Sequence, residues 1–143
     1  VYRVDGSVSR ELDEPPVGEA VWGKDGLTAM TSNGVDESIV WDTQTWHPRS
    51  RLTGNLGGNI STFTLSQDGQ QAVVVRDQRV SLVATRDGKV LASFEVPEAP
   101  GMASAIRFRP DGKGFAILWR DGRVDLFDPA QLQAEMDKLD LAR

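Results

Sequence analysis

The sequence predicts an all-β chain built from a repeated four-stranded unit, and three observations predict it. The pair Asp-Gly recurs as Asp25-Gly26, Asp68-Gly69 and Asp111-Gly112, at a constant interval of about 43 residues. An apolar residue, Trp22, Leu65 or Phe108, stands three positions before each Asp. Short runs of Val, Ile, Leu, Phe and Trp surround every pair and end at Gly, Asp, Asn or Pro, the pattern of strands joined by tight turns.

The elements follow in order within each unit. The first run is exemplified by Ser61-Thr62-Phe63-Thr64-Leu65 and Ala105-Ile106-Arg107-Phe108-Arg109. It alternates, so Ile106 and Phe108 share one face while Arg107 and Arg109 take the other. Asp-Gly then turns the chain, because Gly accepts positive φ and Asp bonds the backbone just downstream. The second run is Leu27–Met30, Ala72–Val75 and Phe115–Leu118, and the third is Ile39–Asp42, Val80–Val83 and Val124–Asp128. A fourth run, Val8–Leu12, Pro48–Leu52 and Val90–Phe94, precedes each unit. Four strands every 40–45 residues mark a β-propeller blade. The prediction is therefore of β-propeller blades of four antiparallel strands, about three of them plus part of a preceding one. Residues 1–143 form one partial propeller: a blade remnant at 1–12 and repeats at about 13–52, 53–94 and 95–128. A helix follows at about 129–140, with Asp128 as N-cap, Pro129 at its first position and Gln131 completing a capping box. Leu132, Met136 and Leu139 give that helix one apolar stripe.

Composition bounds the rest. A chain of 143 residues with 26% charged and 39% hydrophobic residues has a globular balance and the length of one domain. Sixteen basic against 21 acidic residues give a net charge of −5, which argues against bulk nucleic-acid binding. No run approaches the ~18 apolar residues of a membrane span, and Val1-Tyr2-Arg3-Val4-Asp5 is not the start of a signal peptide. A cytoplasmic location is the expectation. Without cysteine there is no disulfide framework, Cys zinc site or thiol nucleophile. Residues 1–48 hold 3 basic and 9 acidic residues, so the two ends of the chain differ in charge. Arg outnumbers Lys 12 to 4, which favours bidentate contacts with carboxylates.

The repeats resemble those of the WD40 family over most of the chain. Arg107-Phe108-Arg109-Pro110-Asp111-Gly112-Lys113 is similar to the family's F-S-P-D-G-K turn, and Val40-Trp41-Asp42 to its closing W-D. Asp121-Gly122-Arg123-Val124-Asp125-Leu126-Phe127-Asp128 resembles its D-G-x-V-x-L-W-D run, and the helical tail resembles the ends of bacterial WD40 proteins. The repeats are degenerate. The G-H dipeptide is missing, His47 is the one histidine, and the second unit ends Val83-Ala84-Thr85. The family's network of Asp, His, Ser/Thr and Trp is therefore not expected in its usual form. The resemblance implies a non-catalytic platform for protein or peptide partners.

Val1–Asp5 reads as the third strand of a blade whose beginning is missing. An open row of blades leaves apolar sides uncovered. The chain is then the C-terminal part of a larger propeller, or it closes a ring as a homo-oligomer. In the second case Val8–Leu12 of one copy completes the last blade of another, and two copies give a six-bladed ring. A further alternative is the propeller region of a signalling or hydrolytic enzyme whose active site lies elsewhere. A propeller using its central channel for catalysis or a small ligand is another.

Catalytic and cofactor motifs are absent from the sequence: no G-x-S-x-G, H-E-x-x-H, EF-hand loop or P-loop occurs, and a single histidine builds no His-rich metal site. The chain is expected to be no enzyme and to take no metal or cofactor. Gly54–Asn59 reads as an inter-blade loop, and Asp13-Glu14 and Asp36-Glu37 as solvated turn acids. The candidate site is a rim. Turns between second and third strands share one rim with the loops between blades, and there lie Arg76-Asp77-Gln78-Arg79 and Arg120-Asp121-Gly122-Arg123. The first unit has Asn33–Glu37 in that place, and Asp13–Pro16 and Pro97–Gly101 join the same rim. Arg76, Arg79, Arg120 and Arg123 are the candidates to grip a carboxylate-bearing or phosphorylated segment, with Trp46 and Trp119 adding aromatic contact. The alternative is that the Asp residues bond turn amides while the arginines pair locally.

Overall fold

Each Asp-Gly unit becomes one antiparallel sheet in the computed structural model, which describes residues 19–33, 37–53, 60–96 and 102–141. The first blade comprises β1 (Glu19–Trp22), β2 (Thr28–Ser32), β3 (Glu37–Asp42) and β4 (His47–Thr53), paired in that order. The second comprises β5 (Ile60–Leu65), β6 (Gln71–Arg76), β7 (Arg79–Ala84) and β8 (Val90–Glu95). The third has three strands among the described residues, β9 (Ala103–Phe108), β10 (Phe115–Trp119) and β11 (Val124–Phe127), followed by α1 (Pro129–Leu141). The runs at 48–52 and 90–94 pair with β3 and β7, so they end the sheet before them rather than opening the unit after them. Pairing also moves the third-run alignment by one residue: Val40 and Leu82 occupy one position, since they lie opposite Met30 and Val73, each the fifth residue after its turn Asp. The expected remnant at 1–12, with Val1–Asp5 and Val8–Leu12, lies outside the described residues.

The turns form as their residues dictate. Gly26, Gly69 and Gly112 have φ of 67°, 67° and 70°, and each amide donates back across the turn to Gly23, Ser66 and Arg109. Asp25 accepts from the Leu27 and Thr28 amides, Asp68 from the Gln70 amide and the Ser66 hydroxyl, and Asp111 from the Lys113 amide. The Ser66 hydroxyl, with the Gln70 amide, holds the Asp68 carboxyl below the ordinary carboxylate range. Asp42 repeats this device between β3 and β4, where the Thr45 amide, Arg49 and the Gln44 amide lower it.

Packing between sheets comes from strand alternation. Met30, Val40 and Leu52 of the first blade form one cluster with Phe63, Leu65, Ala72, Val74 and Val83 of the second. The opposite face of the second blade, Val73, Val75, Val80, Leu82 and Ala92, packs on Ile106, Phe115 and Ile117 of the third. Strand β5 lies against β9, and β1 and β2 lie against β5, so the first strands stand together while β4 and β8 are peripheral. A polar stitch crosses the first boundary, Ser50 Oγ donating to the Thr85 carbonyl at 2.8 Å, and within the second blade Thr85 Oγ1 donates to the Gly69 carbonyl at 2.6 Å. Asp128 Oδ1 accepts the Ala130 and Gln131 amides at 2.8 and 3.3 Å, the N-cap of α1, and Leu132 packs half-buried on the second cluster. Met136 and Leu139 of the expected stripe lie outside the side chains described.

Candidate rim site

The two arginine-bearing turns project at one rim because both join a second to a third strand. They are tied to the same inter-blade connection. The Val96 amide donates to the Gln78 carbonyl at 3.0 Å, and the Arg120 amide donates to the Met102 carbonyl at 3.3 Å. Val96 and Met102 are the two ends of the segment between β8 and β9, so one connection anchors both turns. The intervening Pro97–Gly101, together with Asp13–Pro16, Gly54–Asn59 and the turn at 34–36, lies outside the described residues.

The two R-D-x-R strings are not structurally equivalent. Arg76 pairs with Arg79 across a two-residue turn in which Asp77 has φ of 51°. In the third blade Trp119 takes the place of Arg76, its amide donating to the Arg123 carbonyl at 2.9 Å. Gly122, at φ 90°, lets that turn hold one more residue, and Asp121 accepts the Arg123 amide at 2.9 Å. Arg120 is thus an extra turn residue, while Arg79 and Arg123 correspond.

Burial separates the candidates. Arg76 is 2% exposed and its Nη2 donates to the Leu52 carbonyl at 3.2 Å, joining the second blade to the first. It is an interior residue and leaves the set available to a partner. Its place in the ladder aims it between sheets, where its long side chain reaches the carbonyl of the neighbouring blade. Arg79 is exposed and bridges to Glu95 at 2.8 Å across β7 and β8. Arg123 is half-buried, bridges to Asp125 at 3.0 Å and lies 5.6 Å from the Trp119 ring centre. Trp119 is buried and donates its indole N–H to Asp125 at 2.7 Å, so it supports Arg123 from beneath rather than meeting a partner. Arg120 is exposed and makes no side-chain ion pair or hydrogen bond among the described residues.

Trp46 lies elsewhere. It closes the turn between β3 and β4, and antiparallel strands place that turn at the opposite rim, beside the Asp-Gly turns. There it has φ of 57° and meets Trp22 edge-on, with ring centres 5.7 Å apart. Its proposed company with the arginines is corrected by this alternation. His47 begins β4 and is exposed; Glu37, the described half of Asp36-Glu37, bridges to Arg51 at 3.1 Å. Sequence reading names Arg123 and Trp119 but misses Asp125, which joins them, and whose signal is the alternation that places it opposite Ile117 and under the turn. No group of three or more His, Asp or Glu residues is placed to hold a metal among the described residues, and no helix there is long and apolar enough to cross a membrane.

Four-stranded antiparallel sheets packed face to face, with their first strands together, define blades of a β-propeller. The β-propeller domain of Cps50 (Swd1) from Myceliophteria thermophila shares this fold, with a TM-score of 0.67 and 17% identity. The match covers 82% of this chain and 35% of that one, so the chain spans about a third of that structure. Neither a family model nor a curated protein sequence matches the chain.

Proposed function

We propose that the chain is a degenerate WD40-type propeller segment that acts as a non-catalytic protein-interaction scaffold, and that its arginine rim binds an acidic peptide segment. The observation that carries this reading is the tethering of both arginine turns to one connection, through Gln78–Val96 and Arg120–Met102. It gathers Arg79, Arg120 and Arg123 on one rim at two adjacent blades. Support for the WD40 type comes from Trp41, whose indole N–H donates to Thr31 Oγ1 at 2.9 Å, two members of the family's network bonded without its His. Propeller folds host many functions, so the rim's chemistry, not the fold, specifies the ligand class.

The arginines differ in readiness. Among the described residues Arg120 has no ion pair to give up, Arg79 must exchange Glu95 for the ligand, and Arg123 is held by Asp125. A charge-assisted hydrogen bond contributes about 1.5–3 kcal/mol. Replacing Arg120 by Ala is therefore expected to weaken binding of a fluorescent oligo-glutamate peptide by about tenfold or more, and Arg79→Ala by less. Titration by fluorescence anisotropy at low salt checks this, with Arg49→Ala on the other rim as control. Equal affinity for Arg120→Ala and the unaltered chain contradicts the reading.

A further inference from the structure

We propose that the groove between the second blade, the Asp-Gly turn of the third and the start of α1 binds a small carboxylate with an apolar body. The cavity there measures about 510 Å³, and its walls include Gln71, Leu82, Leu91, Lys113, Asp128 and Pro129. Small-molecule sites run from about 300 to 1,000 Å³ and combine apolar walls with a few polar groups.

The preceding boundary shows what distinguishes this groove. The same place between the first and second blades holds a smaller cavity, about 320 Å³, with Arg49, Gln70 and Thr85 among its walls. Pro48 lies opposite Trp41 and Val90 opposite Val83, so the next residues, Arg49 and Leu91, share a position. Ser50 and Ala92, opposite Val40 and Leu82, share the one after. Lys113 stands where Gln70 does, two residues after the turn Asp. In the first boundary Arg49 is bonded to Thr28 Oγ1 at 3.1 Å and Asp42 at 3.3 Å, and Ser50 Oγ reaches across to the Thr85 carbonyl. Leu91 and Ala92 can make none of these bonds. The turn after β7 also closes on β4, where a methyl group added at Gly88 would lie 3.2 Å from Leu52. After β11 the chain enters α1 at Pro129 instead. The second groove is therefore wider and apolar where the first is narrow and polar.

Lys113 gives that groove its charge preference. It is exposed, and its side chain makes no ion pair or hydrogen bond among the described residues. Asp128 also lines the groove, but its Oδ1 is committed to the Ala130 and Gln131 amides. A ligand carboxylate meets the free ammonium of Lys113, while Leu82, Leu91 and Pro129 take the apolar body. The site lies at the Asp-Gly end of the blades, opposite the arginine rim, and does not depend on the peptide proposed there.

Amide chemical-shift titration of the labelled chain with octanoate, and separately with octanol, tests the proposal. Octanoate is expected to shift Leu91, Lys113 and Ala130, and octanol to bind about tenfold more weakly or less, as loss of one charge-assisted bond implies. Lys113→Met is expected to remove the difference between the two ligands and Lys113→Arg to keep it. Lys113 is exposed, so both variants retain the fold, which circular dichroism verifies. Absence of octanoate shifts at these residues overturns the proposal. So does equal binding of the two ligands, or a preference for octanoate that survives Lys113→Met.

Discussion

Phe115→Ala is expected to destabilise the chain by about 3–5 kcal/mol, the usual cost of emptying a buried aromatic site. Phe115 is 1% exposed and lies in the cluster that joins the second and third blades. Its ring stacks on Phe127 at 5.2 Å and meets Phe108 at 5.7 Å, so the substitution also removes two aromatic pairs at about 0.5–1.5 kcal/mol each at most. Domains of this size are stable by only about 5–15 kcal/mol, so the loss is a large share of the total. Urea unfolding followed by tryptophan fluorescence measures it. Leu126→Ala, one pairing away on the opposite face of the same sheet, is expected to change stability by less than about 0.5 kcal/mol. Similar values for the two variants would mean that the third sheet is not packed on the second by the face assigned to Phe115.

Gly69→Ala is expected to cost about 3 kcal/mol, against about 1 kcal/mol for Gly112→Ala. Both glycines occupy the same turn position with nearly the same positive φ, so both lose the freedom that Gly alone has there. At Gly112 an added methyl group meets nothing within 4 Å. At Gly69 it would come within 2.5 Å of Asp25 Oδ2 and 2.6 Å of Thr28 Oγ1, across the boundary between the first and second blades. Those two atoms are bonded to each other at 3.1 Å, so moving either breaks the turn that Asp25 stabilises. Overpacking of this kind costs about 1–3 kcal/mol beyond the backbone term. Thermal unfolding of the two variants side by side isolates the interface contribution, since the backbone contribution cancels between them.

How far the fold was legible follows from the same residues. The Asp-Gly interval exposed the repeat because each Asp and Gly performs a local task, amide capping and positive φ, that few residues perform. The alternation in Ala105–Arg109 gave the face of Ile106 and Phe108 for the same local reason. Strand membership was less legible: Val90–Phe94 has an apolar pattern that fits either neighbouring unit, and only hydrogen bonding to β7 assigns it. The rim illustrates the limit more sharply. Arg76-Asp77-Gln78-Arg79 and Arg120-Asp121-Gly122-Arg123 match as strings, yet one turn holds an extra residue, which puts Trp119 where Arg76 stands. Arg76 is buried because its partner, the Leu52 carbonyl, belongs to the preceding sheet, 24 residues earlier. Nothing in the local string encodes that. Trp46 was placed on the wrong rim because its position depends on the parity of strands, not on its neighbours in sequence.

The rim as the binding surface is tested most directly by amide chemical-shift mapping of the isotope-labelled chain titrated with the oligo-glutamate peptide. Shifts are expected at Gln78, Arg79, Val96, Met102, Arg120 and Arg123, the residues that the shared connection brings to one rim. Shifts centred on Asp25, Thr45 and Trp46, at the opposite rim, would contradict the assignment.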